Sequence, residues 1–225
     1  MDEVPEVFHG LLRYNALTFH EGLAGAFVLG YRLEDRPEDP WTARFTAFKF
    51  DADAVSLRGG TTLMAHVAPL MVDALGLTRH RTVFAAALRS GETSAAADGP
   101  LAEMARCCAA SAGCRYQPAL LAKDAHLPTG RGGLSQEFRL LLIEDAHYRS
   151  ALIDADTVFV VDDLIATGKT LSLAATAIRD RNPGVTVYGF ALAKTAWHSL
   201  MRHWLNLDIS NAHIPAPWVA IWRAA

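Results

Sequence analysis

Thr157-Val158-Phe159-Val160-Val161-Asp162-Asp163-Leu164-Ile165-Ala166-Thr167-Gly168-Lys169-Thr170 is the stretch from which the fold reads. Val158 to Val161 are four consecutive apolar residues, β-branched or aromatic, with no alternation. That pattern predicts a strand buried on both faces of a parallel sheet. Two carboxylates stand where such a strand ends, and a short loop rich in Thr and Gly follows. Leu171, Ala174, Ala175 and Ile178 then fall at i, i+3, i+4 and i+7, one face of a helix. Strand, acidic pair, small-residue loop and helix N-terminus together predict a phosphate site with carboxylates beside it. Asn182-Pro183-Gly184 stops the helix and residues 185–193 supply another buried strand. Residues 157–193 thus read as a βαβ crossover, right-handed by rule.

Two simpler readings of the stretch fall short. Gly168-Lys169-Thr170 matches the tail of a Walker P-loop, but that motif needs a Gly five residues before Gly168. Asp163 stands there, a carboxylate where a nucleoside triphosphate would lie. An Asp N-cap with a tight turn accounts for one Asp and one Thr and leaves the rest of the run unexplained.

The stretch resembles the phosphoribosyl pyrophosphate (PRPP) binding motif of type I phosphoribosyltransferases: an apolar run, two acidic residues, two apolar residues, a small residue, Thr-Gly, one free position and Thr. The resemblance implies an α/β fold, a doubly wound, mainly parallel sheet with helices on both faces. It implies that Asp162 and Asp163 accept hydrogen bonds from the ribose 2′- and 3′-hydroxyls and serve as the catalytic and Mg²⁺-associated carboxylates. It also implies that Ala166, Thr167, Gly168, Lys169 and Thr170 wrap the 5′-phosphate. The start of the next helix would add roughly 0.3–1 kcal/mol per favourable charge.

The flanking sequence extends the pattern. Thr82 to Leu88 is a second predicted buried strand, followed by Arg89-Ser90-Gly91-Glu92-Thr93. Ligands of doubly wound sheets bind outside the carboxyl ends of strands. In the resembled family the loop at this place contacts pyrophosphate, a role that would fall to Arg89, Ser90 and Gly91; an ordinary βα turn is the other reading. Residues 123–139 hold three glycines and a proline with Lys123, Arg131 and Arg139. A flexible basic loop suits a lid over an anionic substrate; a solvated surface loop is the plainer alternative. Here the chain most resembles the ComF-like subfamily, through Lys123, Thr129, Leu134, Glu137 and Arg139. Arg131 stands where that subfamily has Gln, and Thr93 to Ala97 replaces its aromatic-Asn-Gln stretch. No cysteine precedes Cys107, so the subfamily's Cys-rich zinc segment has no counterpart.

The remaining segments are read from local signals. Leu11 to Phe19, Ala26 to Leu33 and Arg44 to Phe50 are strands or short helices, so residues 1–50 are expected as a cap or edge on the main domain, 51–225. Arg58-Gly59-Gly60-Thr61-Thr62 reads as a loop and N-cap before a helix from Leu63 to Ala74. Leu101, Met104, Ala105, Cys108 and Ala112 predict a helix face, and Tyr116 to Ala122 a third strand. Lys194 is expected after the last strand, with a helix from Thr195 to Asn206. Pro215, Pro217, Trp218 and Trp222 are read as packing residues or an acceptor-base wall. His20-Glu21 reads as a surface pair rather than a metal site. Asp124 and Glu137 are candidate general bases.

Composition bounds the function. The 225 residues are 51% hydrophobic and 20% charged, enough for one sizeable core. The net charge of −3 offers no basic surplus, so nucleic acid is not an expected partner. Apolar runs are too short to cross a bilayer and the N-terminus lacks a basic leader, so no membrane partner is expected and the expected compartment is the cytoplasm. Three cysteines match no zinc spacing. Two functions are expected from the resemblance. One is Mg²⁺-dependent transfer of phosphoribose from PRPP to a small nitrogenous acceptor, a nucleobase or amine, with release of pyrophosphate. The other is a non-catalytic PRPP or nucleotide sensor on the same fold. A homodimer is left open.

Overall fold

Order in the central sheet is set by where each apolar run finds a partner. The structure is a computed structural model that describes residues 5–51, 53–95, 99–127 and 135–224. Among these, seven strands form one sheet in the order β1-β2-β3-β9-β8-β4-β5. Strand β8 (Thr157–Ile165) holds the run read first and is flanked in parallel by β4 (Thr82–Ala86) and β9 (Thr186–Ala196). Strand β3 (Leu23–Leu33) runs parallel to β9, and the two-residue β5 (Arg115–Tyr116) parallel to β4. Five parallel strands therefore end on one side of the molecule. Strands β1 (Glu6–Phe8) and β2 (Leu11–Tyr14) close the far edge antiparallel to this set. Residues 6–33 are thus part of the main sheet: β1 is its edge, and β3 is an interior strand.

Helices cover both faces, as alternation on β9 shows. Gly189 lies against Leu171 of α5 (Lys169–Arg181), whereas Leu192 lies against Gly60 of α2 (Ala54–Ala74). Residues 189 and 192 point to opposite faces of a strand, so the two helices lie in opposite layers. Helices α1 (Pro40–Thr46), α3 (Pro100–Ala112), α4 (Gln136–Glu144), α6 (His198–Leu205) and α7 (Ala216–Ala224) complete the described set. The expected inner face of α3, Leu101, Met104, Ala105, Cys108 and Ala112, is buried, as is the α5 face from Leu171 to Ile178. An aromatic ladder crosses the sheet on one side. Phe84 stacks on Phe159 at 5.0 Å, Phe159 on Tyr188 at 5.4 Å, and Tyr188 meets Phe27 at 5.7 Å. Such cross-strand neighbours fix register, because a one-residue slip would turn every ring to the wrong face.

Three local expectations are corrected. Arg58 to Thr62 is not a loop: α2 starts at Ala54, capped by Asp53, whose carboxylate accepts from Ser56 N at 2.8 Å. Gly59 and Gly60 are inside the helix because Trp222, Phe48 and Leu192 press on them. Tyr116 to Ala122 is not one strand, since Pro118 has no N–H for a ladder. It splits into β5 and the short β6 (Leu121–Ala122), which pairs with β7 (Arg149–Ser150) outside the main sheet. Lys194 lies within β9, and the following helix begins at His198 rather than Thr195. Of the two readings open for Arg44 to Phe50, strand or short helix, the structure forms the helix, ending in a five-residue π-turn over Ala47–Asp51.

Trp222 is a packing residue. Its ring meets Trp41 edge-on at 4.6 Å and lies over Gly59. A Cβ at Gly59 would sit 2.4 Å from Trp222 Cδ1 and 2.8 Å from the Trp222 carbonyl oxygen. Gly→Ala in an exposed helix gains about 1 kcal/mol. Over-packing costs about 1–3 kcal/mol and wins at this position. Gly59→Ala is therefore expected to lower the urea midpoint, with a net loss of roughly 1–2 kcal/mol; an unchanged or higher midpoint would show that α7 does not seat here.

Candidate functional site

The chain leaves β4 toward β5 on one side, and leaves β8 toward β9 on the other. Strand order therefore reverses between β4 and β8, and the carboxyl ends of two such strands diverge to leave a crevice. Asp162 and Asp163 lie within the last four residues of β8, just past its pairing with β4; the strand runs on through Leu164 and Ile165 beside β9, beyond the point where the sequence placed its end. Arg89, Ser90 and Gly91 follow β4 beside it, with Ala87 N bonded to Val161 O at 2.8 Å. Topology thus brings together the acidic pair, the 166–170 loop that continues β8 and the 89–91 turn.

The acidic pair is electrostatically strained. Asp163 is buried and its Oδ1 accepts from the Lys49 ammonium. Asp163 N donates to Asp162 Oδ1 at 2.8 Å. Burial, then the charge of Asp163, pushes the Asp162 carboxyl up to about 7, against the opposing pull of Lys49 and two backbone N–H groups. Tyr148 lies in the same neighbourhood, where burial and the Asp162 charge push its phenol up. Two adjacent carboxylates that share one ammonium are a donor set that fits a divalent cation. Mg²⁺ keeps several waters and needs only one or two carboxylates when a substrate phosphate completes its shell. Among the described residues no group of three or more His, Cys, Asp or Glu gathers as a metal cluster.

The loop after the pair is braced from three directions. Gly168 has φ +87° and no side-chain cap precedes α5. A Cβ at Gly168 would lie 2.5 Å from the Phe19 carbonyl oxygen, so it is the β2–β3 connection that approaches this glycine. Phe19 N donates to Thr167 O at 3.0 Å, and the Ser172 hydroxyl donates to Glu21 at 2.8 Å. Lys194, buried in β9, donates its Nζ to Ala166 O at 3.0 Å and lies 5.6 Å from the Tyr14 ring centroid. Thr167 and Thr170 are half-buried and Ala166 is exposed. Lys169 is turned away, paired with Glu144 at 2.6 Å and lying 4.5 Å from the Phe19 ring centroid.

The other predicted residues divide. Arg89 and Gly91 are exposed, Ser90 half-buried, and no ion-pair partner of Arg89 stands among the described residues. Lys123 is not an exposed lid cation. It is fully buried, with Nζ donating to the carbonyls of Ser90 at 3.0 Å and Asp124 at 3.3 Å. Arg131, Thr129 and Leu134 lie outside the described residues. Asp124 is exposed and held by Arg149 at 2.9 Å and His147 at 3.1 Å, which lower its carboxyl. Glu137 is exposed in the first turn of α4 and lowered by backbone and Ser135 hydrogen bonds. Both are poorer proton acceptors near neutrality than Asp162. Two hollows of about 620 and 420 Å³ lie elsewhere, one lined by Ile214, Val219 and Arg223, the other by Gly22, Thr176 and Pro183.

Lys49 and Tyr148 escaped the sequence reading. Lys49 stands among Phe48, Phe50 and Asp51 in a segment without periodicity, and nothing local marks it. Lys194 carried a signal that went unused: a lone cation at the carboxyl end of a buried strand. No known family model matches this chain, and no curated protein sequence matches it.

Proposed function

We propose that this protein is a Mg²⁺-dependent phosphoribosyltransferase that moves phosphoribose from PRPP to a small nitrogen acceptor. One observation carries the reading: two adjacent carboxylates lie within the last four residues of β8, at the point where strand order reverses, shortly before a loop and the uncapped N-terminus of α5. Asp162 and Asp163 offer acceptors for vicinal hydroxyls. The 166–170 loop offers backbone N–H groups and the Thr167 and Thr170 hydroxyls for a 5′-phosphate, in the field of a 13-residue helix. Arg89, on the exposed turn that follows the neighbouring strand β4, is assigned to the leaving pyrophosphate. The resemblance of 157–170 to the PRPP motif supports the same assignment.

In the reaction, a nitrogen lone pair attacks ribose C1, the C1–O bond to pyrophosphate breaks, and positive charge develops on C1 and the ring oxygen. Asp162 and Asp163 hold the ribose and favour that charge. Asp162 and Asp163 would hold Mg²⁺, which when bound would supply charge neutralisation for the leaving group. Arg89 offers the pyrophosphate a second positive partner.

A second reading, binding without turnover, is favoured by the Lys49 ammonium on Asp163, which competes with a ribose hydroxyl. Binding is tested first. PRPP with Mg²⁺ should raise the melting temperature through linkage, and ATP with Mg²⁺ much less, since Asp163 stands where a P-loop needs Gly. Stronger stabilisation by ATP would overturn both readings. Pyrophosphate release in the presence of a panel of bases and amines then separates transferase from sensor.

A further inference from the structure

The buried ammonium of Lys123 has no place in the chemistry above. Its side chain is fully buried, its Nζ donates to the Ser90 and Asp124 carbonyls, and Glu92 and Asp124 are the nearby opposite charges. Sequestering a cation is costly unless its donors are used, and an apolar residue of similar volume would serve the core as well. The acceptors give the reason. The Ser90 oxygen takes two donors, Lys123 Nζ at 3.0 Å and His126 N at 2.8 Å. Around it, Arg89 N donates to the Glu92 carboxylate at 2.7 Å, Glu92 N to Arg89 O at 3.0 Å, and Lys123 N to Thr93 O at 3.0 Å.

The Ser90–Gly91 peptide is trans. In a trans peptide the C=O and N–H point in opposite directions. With the Ser90 carbonyl drawn inward by the buried ammonium, the Gly91 N–H points outward. Gly91 is exposed, and nothing lies within 4 Å of where its Cβ would be. Among the described residues no group accepts from the Gly91 N–H. We infer that Lys123 is a positioning residue: it locks the Ser90–Gly91 peptide so that the Gly91 N–H, two residues on from Arg89, is presented to a diphosphate anion in the crevice. The lysine also polarises that peptide, since a carbonyl bonded to a cation makes its own N–H a better donor. The inference rests on the proposed ligand class, and it predicts a split between the two ends of that ligand.

The test uses the full-length, ¹⁵N-labelled protein, titrated separately with pyrophosphate plus Mg²⁺ and with ribose 5-phosphate. In the parent, pyrophosphate should move the Gly91 amide and ribose 5-phosphate the Gly168 to Thr170 amides. Lys123→Met should weaken pyrophosphate about tenfold or more, shrink the Gly91 response, and leave ribose 5-phosphate affinity within about twofold. Unchanged pyrophosphate affinity in Lys123→Met, or an equal loss of both ligands, overturns the inference. Should that variant not fold, the parent decides: a Gly91 amide shift with slowly exchanging Lys123 ammonium protons sustains it, and no shift at saturating pyrophosphate overturns it. A parent in which only ribose 5-phosphate acts sinks this inference and leaves the reading of 162–170 standing; a parent that responds to neither sinks both.

Discussion

Asp162→Asn should make the protein more stable above pH 7 and much less able to bind PRPP. The Asp162 carboxyl is raised from an ordinary 3.8 to about 7 by burial and by Asp163. Between those two values the native state holds a proton that the unfolded chain releases. Stability contributed by this group is therefore full below pH 4 and is lost as pH rises toward 7. At 1.36 kcal/mol per pH unit the ceiling is about 4 kcal/mol. Residue 162 keeps some solvent contact, so about 2 kcal/mol is the expected gain at pH 8 in metal-free buffer. At pH 4 the two proteins should unfold alike. PRPP affinity should fall on the order of 10- to 150-fold, the range of a lost hydrogen bond to a charged group. Higher stability with lost binding is the signature of a residue kept for function. Urea unfolding across pH 4–8 checks the first half and calorimetric titration the second. A variant no more stable than the parent at pH 8 would mean that the pair is not electrostatically strained.

Gly168→Ala is expected to be the most damaging single methyl group in the site. At φ +87° an L-residue is strained by about 1–2 kcal/mol before any contact is counted. The new Cβ would also lie 2.5 Å from the Phe19 carbonyl oxygen and 2.8 Å from Leu17 Cδ1. The first neighbour is backbone, held by Phe19 N on Thr167 O, and has nowhere easy to go. A total cost of about 3 kcal/mol follows, with the 17–21 segment displaced from the loop. Equilibrium unfolding measures the loss, and hydrogen exchange at Phe19 reports the displacement. A cost under about 1 kcal/mol would mean that the β2–β3 connection does not clamp the loop.

What the sequence made legible follows the reach of each signal. Val158 to Val161 and Leu171 to Ile178 were readable because burial on two faces and on one helix stripe leaves different periods. The acidic pair and its loop were readable because their chemistry is contiguous. Gly59 and Gly60 misled because a glycine pair signals a turn locally, whereas here Gly59 makes room for Trp222, 163 residues downstream by number, and Gly60 for Phe48 and Leu192. Residues 1–50 hid an interior strand, Leu23–Leu33, whose place is decided by its parallel partner β9 at the other end of the chain. Lys49 reaches Asp163 across 114 residues, a pairing no local pattern announces. Lys123 was read as one cation of a mobile basic lid, because a flexible, glycine-rich neighbourhood suggested exposure where the structure buries it against the Ser90 carbonyl.

The central claim is that residues 162–170 hold the phosphoribosyl group. Its most direct measurement is calorimetric titration of the metal-loaded protein with PRPP, run beside ribose 5-phosphate, ATP and a Thr167→Ala variant. The account predicts saturable PRPP binding, weaker binding of ribose 5-phosphate, much weaker binding of ATP, and loss of affinity for both phosphoribosyl ligands in Thr167→Ala. PRPP binding that is absent, or present and unchanged in both Thr167→Ala and Asp162→Asn, would contradict it and leave this stretch a buried strand with a well-packed turn.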